Sequence, residues 1–259
     1  MKKLATFLMA VVVYTTAFAQ DSFDKNDSKS TEVKNKKEKK NRGTTHDLNF
    51  DFGINNYLQN GKSPENTNEI YSAKPLGSWA FAINGINRTH IAGPLYLQWG
   101  GGINWYNFKF HDETVRMSKD NNNVIFTNDT RVDIDPIKSK LTSTYLNASM
   151  LPVFQFGGKS KNWDNDWCFG HNKGNGFRIG VGGYAGYKIN SYSKFVYEDK
   201  GDKRKEKDKD GYYLNNWRYG ARLQLGFRDV DLFVNYDISE LFVKDKGPQL
   251  NTFSFGITI

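Results

Sequence analysis

The sequence lacks most of the features that point directly to a function. Its single cysteine, Cys168, excludes an internal disulfide framework and any cysteine-cluster metal site. No run of about 20 apolar residues occurs, which excludes a bundle of membrane helices. Charge of one sign is only modestly in excess, with 36 Lys and Arg against 28 Asp and Glu, a formal +8. Lys2 and Lys3 account for two of these charges and residues 21–45 for a net three, leaving +3 for the remainder. So dilute a surplus is no nucleic-acid footprint, and nucleic acid is not expected as a partner. A mean hydropathy of −0.68 does not exclude a transmembrane β-barrel, because barrel strands alternate apolar with polar and average to hydrophilic. What the chain does have is 24 glycines, 15 % aromatic residues and a length that all-β barrels commonly fill as one domain.

Met1-Lys2-Lys3 precedes an apolar stretch from Leu4 to Tyr14, followed by Ala17-Phe18-Ala19 and Gln20. A basic start, a short apolar core and an A-x-A site predict a secretory signal peptide over residues 1–19, cleaved between Ala19 and Gln20. The apolar stretch is too short to anchor the chain across a bilayer. Residues 20–45 are rich in Lys, Glu, Asp, Asn and Ser, with Phe23 and Val33 as the only large apolar side chains. They bury too little to offset ordering entropy and read as a disordered, charged periplasmic tail.

From residue 46 to 259 a period of two takes over. Leu48, Phe50, Phe52 and Ile54 alternate with Asp47, Asn49, Asp51 and Asn55. Similar segments follow over Ser78–Arg88, Leu95–Trp105, Lys140–Phe156, Phe177–Val196, Tyr212–Phe227 and Val230–Ile238. The last holds Phe253, Phe255, Ile257 and Ile259 at the chain end. Pro152 within the fourth segment predicts a bulge or break. Eight such segments, with long polar linkers after the first, third and fifth, predict an all-β fold: an eight-stranded antiparallel up-and-down transmembrane β-barrel with a polar interior.

A soluble barrel would show the same strand count with its apolar faces turned inward. Two features favour the membrane arrangement. The polar faces carry Asp, Asn, Arg and Gln at mid-strand, and the apolar faces carry Trp79, Trp105, Tyr187, Trp217 and Tyr219 near strand ends, where amphipathic rings settle at headgroup level. The C-terminal alternating strand suits recognition by an outer-membrane insertion machinery. The expected surroundings are therefore the cell outer membrane, its lipid and that machinery.

Three stretches carry a family resemblance: Tyr145-Leu146-Asn147-Ala148-Ser149-Met150-Leu151-Pro152-Val153, the glycine-rich run from Gly176 to Tyr187, and Phe253-Ser254-Phe255-Gly256-Ile257. In these the chain resembles the PorT-like outer-membrane β-barrel domains of Gram-negative bacteria. The resemblance implies the barrel fold and the location, and it brings no catalytic residues.

No catalytic, cofactor or metal site is expected. Gly180-Val181-Gly182-Gly183-Tyr184-Ala185 matches a dinucleotide fingerprint in letters, but that motif needs a strand leading into a helix, and here alternation continues to Ile189. His46, His90, His111 and His171 show no mutual ligand spacing, and Asp208, Asp210 and Gly211 lack the rest of a calcium loop. One structural site is expected instead. If Arg228-Asp229 is a two-residue turn, Arg222 opposes Asn235 and Asp237 lies diagonally between Arg218 and Arg222, within reach of both. An eight-stranded barrel is just filled by its side chains, so these residues predict a plug of ion pairs.

The strands flanking Glu198–Asp210, the fifth and sixth, look long enough to protrude as a ribbon, with that charge-balanced linker flexible between them. The function expected is non-enzymatic, carried by the outer loops or by periplasmic contacts with a protein partner. A narrow passive channel is the alternative, and a lipid-modifying barrel enzyme a third reading.

Overall fold

A computed structural model describes residues 43–64, 69–157 and 176–259. The cleavage position Ala19/Gln20, the tail up to residue 42, Cys168 and His171 lie outside the described residues. The described chain contains only strands as regular elements: β1 (Thr44–Leu58), β2 (Trp79–Ala92), β3 (Leu95–Lys109), β4 (Val115–Lys119), β5 (Val124–Asn128), β6 (Ile134–Phe156), β7 (Phe177–Asp199), β8 (Asp202–Asp208), β9 (Trp217–Phe227), β10 (Val230–Glu240) and β11 (Asn251–Thr258). β1 starts at Thr44, so the barrel begins slightly before the predicted end of the tail.

Eight of these strands pair antiparallel in the order β6-β3-β2-β1-β11-β10-β9-β7, and β6 pairs with β7 to close the barrel. Closure satisfies the backbone groups that an open edge would expose. Alternation sets the faces. Along β9 and β10 every second residue is exposed (Trp217, Tyr219, Leu223, Phe227; Leu232, Val234, Tyr236, Ile238) and the residues between are buried (Arg218, Arg222, Gln224; Asp231, Phe233, Asn235, Asp237). Phe255, Ile257 and Ile259 point outward from the last strand, and Phe253 lies half-buried on the same face.

The turn at Arg228-Asp229 produces the predicted register: Val230 faces Phe227 and Arg222 faces Asn235. Arg228 adopts the left-handed φ of 54° that this tight connection requires. Pro152 makes no bulge. It faces Leu97 on β3, but on the β7 side the ladder breaks locally: no pair forms at Leu151 or Pro152, and Met150↔Gly183 and Val153↔Gly180 on either side keep one register. The two shifts along this ladder lie elsewhere, at Pro136/Lys138 and Thr144/Tyr145.

Three strands arise where the sequence predicted loops. β4 and β5 form a hairpin in the third linker. β8 pairs with the last seven residues of β7, Ser193–Asp199, so Glu198–Asp210 is largely strand rather than a flexible link. The protruding ribbon is also built differently. β9 begins only at Trp217, and its pairing with β7 ends at Tyr187. The partner of the extended β7 is β6, with both strands 23 residues long and paired out to Ile134↔Asp199. Tyr212 and Tyr213, predicted to open the sixth strand, sit in the connection before β9, both at positive φ.

Candidate functional site

Ion pairs occupy the space inside the barrel. Arg218 Nε donates to Asp237 Oδ2 at 2.6 Å, and Asp237 also accepts from the hydroxyls of Tyr184 and Thr252. The Arg218 guanidinium lies 3.7 Å from the centroid of the Tyr106 ring, with Tyr184 and Tyr145 at 5.3 and 5.6 Å. A cation in such an aromatic cage is attracted by the ring faces while its Nε serves the carboxylate.

Arg222 is not shared with Asp237 as the sequence predicts. It reaches across the lumen to Asp51 on β1 through two hydrogen bonds, Nη1 to Oδ2 at 2.8 Å and Nη2 to Oδ1 at 3.2 Å. Thr258 accepts from the same Nη2 at 3.0 Å, and Asn84 donates to Asp51 Oδ2 at 3.2 Å. This forked geometry fixes orientation as well as charge. The physical reason for the difference is competition: Asp237 is already saturated by Arg218, Tyr184 and Thr252, while β1 brings Asp51 opposite Arg222.

A third pair closes the end that carries the short turns. Arg178 on β7 donates through Nη2 to Asp231 Oδ1 at 2.6 Å, and Gln224 donates to the other carboxylate oxygen at 2.8 Å. Gly226 makes room for it, since a Cβ there would stand 1.9 Å from Asp231 Oδ1 and 2.7 Å from Arg178 Nε. Between the pairs lies a cavity of about 30 Å³ bordered by Asn49, Asn104, Asn147 and Asn235. That is space for about two water molecules.

The other end is closed by an apolar cluster. Val115 and Met117 of β4 and Val124 of β5 pack with Tyr57, Phe108, Phe110, Leu141, Tyr212, Leu214, Phe242 and Leu250, all buried, and Phe126 packs against them. Tyr212 is completely buried, which explains how its strained left-handed backbone is held. Little in the sequence signals this second core, because its members come from separate connections and strand ends with no common period.

A charged clamp ties the β4–β5 hairpin to the extension. Arg116 binds Asp129 at 2.8 Å and also pairs with Glu206 of β8; Arg131 binds Asp129 at 2.7 Å and Glu206 at 3.4 Å. The two guanidinium groups stack on Phe195 and Tyr197 of β7, 4.6 and 4.7 Å from the ring centroids. Hydrogen bonding from Arg131 holds the Asp129 carboxyl well below the ordinary range. Burial pushes Glu206 upward, but hydrogen bonds from Arg116 and Tyr197 outweigh it, and the net shift is downward.

Among the described residues no group of His, Cys, Asp and Glu is arranged to hold a metal. His46, His90 and His111 lie apart at strand ends, and β7 runs unbroken through the glycine motif at 180–185. Asp51, Arg178 and Asp231 also form pairs, although nothing beyond their place on polar faces distinguishes them in the sequence. No family model, curated protein or solved structure matches this chain.

Proposed function

We propose that this protein is a non-enzymatic outer-membrane β-barrel whose function is carried by the folded extension above a filled lumen. The observation that carries the reading is the exterior wall. Phe156, Phe177, Phe227 and Val230 occupy one row around β6, β7, β9 and β10, and Tyr187 and Trp217 face each other at the opposite end. Phe177 and Tyr187 are ten residues apart, about 33 Å along a strand, or about 25 Å of height at a barrel tilt near 40°. That is the height of the apolar band that aromatic girdles bound in outer-membrane barrels. The resemblance to PorT-like barrel domains points the same way.

Among the described residues, ion pairs and polar side chains occupy the lumen and an apolar cluster covers one end, which supports a presenting role over a channel. β6 and β7 rise beyond the wall with β8 and the β4–β5 hairpin docked on them, forming a folded surface suited to a protein or lipid partner. The test is a planar-bilayer recording of the full chain combined with trypsin treatment of intact cells. The expected result is no unitary conductance and cleavage within the lysine-rich 200–209 segment. Steady single-channel currents would favour the passive channel instead. Complete protection of 200–209 would reverse the orientation.

A further inference from the structure

The charge-balanced segment 198–210 stops being neutral once it folds. Alternation along β8 puts Lys203, Lys205 and Lys207 on one face and Glu206 and Asp208 on the other, where Glu206 joins the arginine clamp. The pairing registers then align lysines from four strands. Lys109 of β3 faces Lys140 of β6, Lys140 faces Lys194 of β7, and Lys194 faces Lys207 of β8. Directly paired residues share a face of a sheet, and like charges so placed are destabilising. Lys138 and Lys205 flank Val196 in the next row.

On β3 this is the outer face: Lys109 stands four residues beyond Trp105, about 13 Å further along the strand. The acids on the same face are few or distant. Glu113 binds Lys109 at 3.1 Å and Lys74 at 3.4 Å, while Asp135 and Glu198 face each other nearer the ribbon tip. Lys140 is half-buried and donates to Asn107 Oδ1 at 2.6 Å. Desolvation, and then the neighbouring Lys194, Lys138 and Lys207, bring its pKa down to about 8.

Lysines are also a device for keeping edge strands from pairing with other chains. That explains Lys203, Lys205 and Lys207 on β8. It does not explain Lys140 and Lys194, which lie on strands paired on both sides.

The geometry points to this lysine row as a docking surface for the phosphate groups of lipid headgroups in the membrane leaflet around the extension. The inference rests on the membrane reading above and adds a ligand class to it. The row is about 14 Å wide at normal strand spacing and continues the outer face of the wall beyond its aromatic residues, four positions past Trp105 on β3 and seven past Tyr187 on β7. A phosphorylated headgroup there would offset three successive lysine–lysine pairings. Each lysine near an anionic membrane surface contributes about 1 kcal/mol, or about fivefold in binding.

The experiment uses the full chain and the variant K140Q/K194Q. Flotation is measured with vesicles of phosphatidylcholine alone, phosphatidylcholine with bis-phosphorylated lipid A, and phosphatidylcholine with the same glycolipid after removal of its phosphates. The expected result is insertion into all three, a preference for the phosphorylated glycolipid, and loss of that preference by about twenty-five-fold in the variant. The variant should melt close to the parent in neutral detergent, since relief of the like-charge contacts offsets the lost hydrogen bond from Lys140 to Asn107. Equal binding to the dephosphorylated lipid, or unchanged preference in K140Q/K194Q, overturns the inference and leaves the membrane reading intact. Competition by millimolar inorganic phosphate would assign the row to free phosphate and overturn it equally. Failure to float with phosphatidylcholine alone would remove the membrane reading and this inference together.

Discussion

At the scale of single residues, the paired charges inside the barrel decide how strongly its wall is held. Arg222 and Asp51 are both nearly covered, so removing one leaves the other buried without its counter-ion, at a cost of about 3–5 kcal/mol. Arg222→Ala should therefore lower the denaturant midpoint markedly. A double-mutant cycle with Asp51→Ala should return a coupling of about 1–3 kcal/mol, whereas the cycle with Asp237→Ala should return almost none. Strong coupling between Arg222 and Asp237 would restore the shared arrangement expected from the turn alone. Gly226→Ala offers a steric counterpart. Its new methyl would meet the Arg178–Asp231 pair, and overpacking of this kind costs about 1–3 kcal/mol. Chemical denaturation of the detergent-folded protein should show that loss, and an unchanged midpoint would mean the pair can move aside.

At the scale of elements, the extension depends on how the β4–β5 hairpin is held against β7 and β8. Two carboxylates with depressed pKa values, Asp129 and Glu206, hold Arg116 and Arg131 over the aromatic rings of β7. The contribution of a carboxylate with a depressed folded pKa is fully present above its ordinary value and is lost as pH falls through the depressed one. The ordinary values are 3.8 for Asp129 and 4.5 for Glu206, so docking should weaken only below about pH 4.5. Hydrogen–deuterium exchange, corrected for the intrinsic rate, should show faster exchange in 115–128 at about pH 3.5 than at neutral pH. The barrel strands should be protected alike at both. Equal protection of the hairpin at the two values would show that its apolar contacts suffice.

At the scale of the whole molecule, two closures act in series: charged and polar groups through the lumen, and an apolar cluster at the end where the long connections gather. Opening either one alone leaves the other in the path. The double variant Asp51→Ala/Arg222→Ala should accordingly stay non-conducting in a planar bilayer. Shortening the β4–β5 hairpin in that same background should produce measurable currents. Conductance in the double variant alone would show that the apolar cluster does not seal the barrel.

The sequence by itself determined the wall. Alternation with a period of two assigns the side chains of Trp217–Phe227, Val230–Ile238 and Phe253–Ile259 to a face, and the two-residue turn at Arg228-Asp229 sets one register without any tertiary information. It also showed which residue types the polar faces would carry. Tertiary structure decided who meets whom across the barrel. Asp51 and Arg222 are 171 positions apart and become neighbours only when the sheet closes on itself, so no local pattern links them. The same holds for the linkers. Their composition is polar and their net charge near zero, which describes a flexible loop equally well as a strand. Only a neighbouring edge, supplied by β7, lets Asp202–Asp208 pair and separates its lysines from its acids.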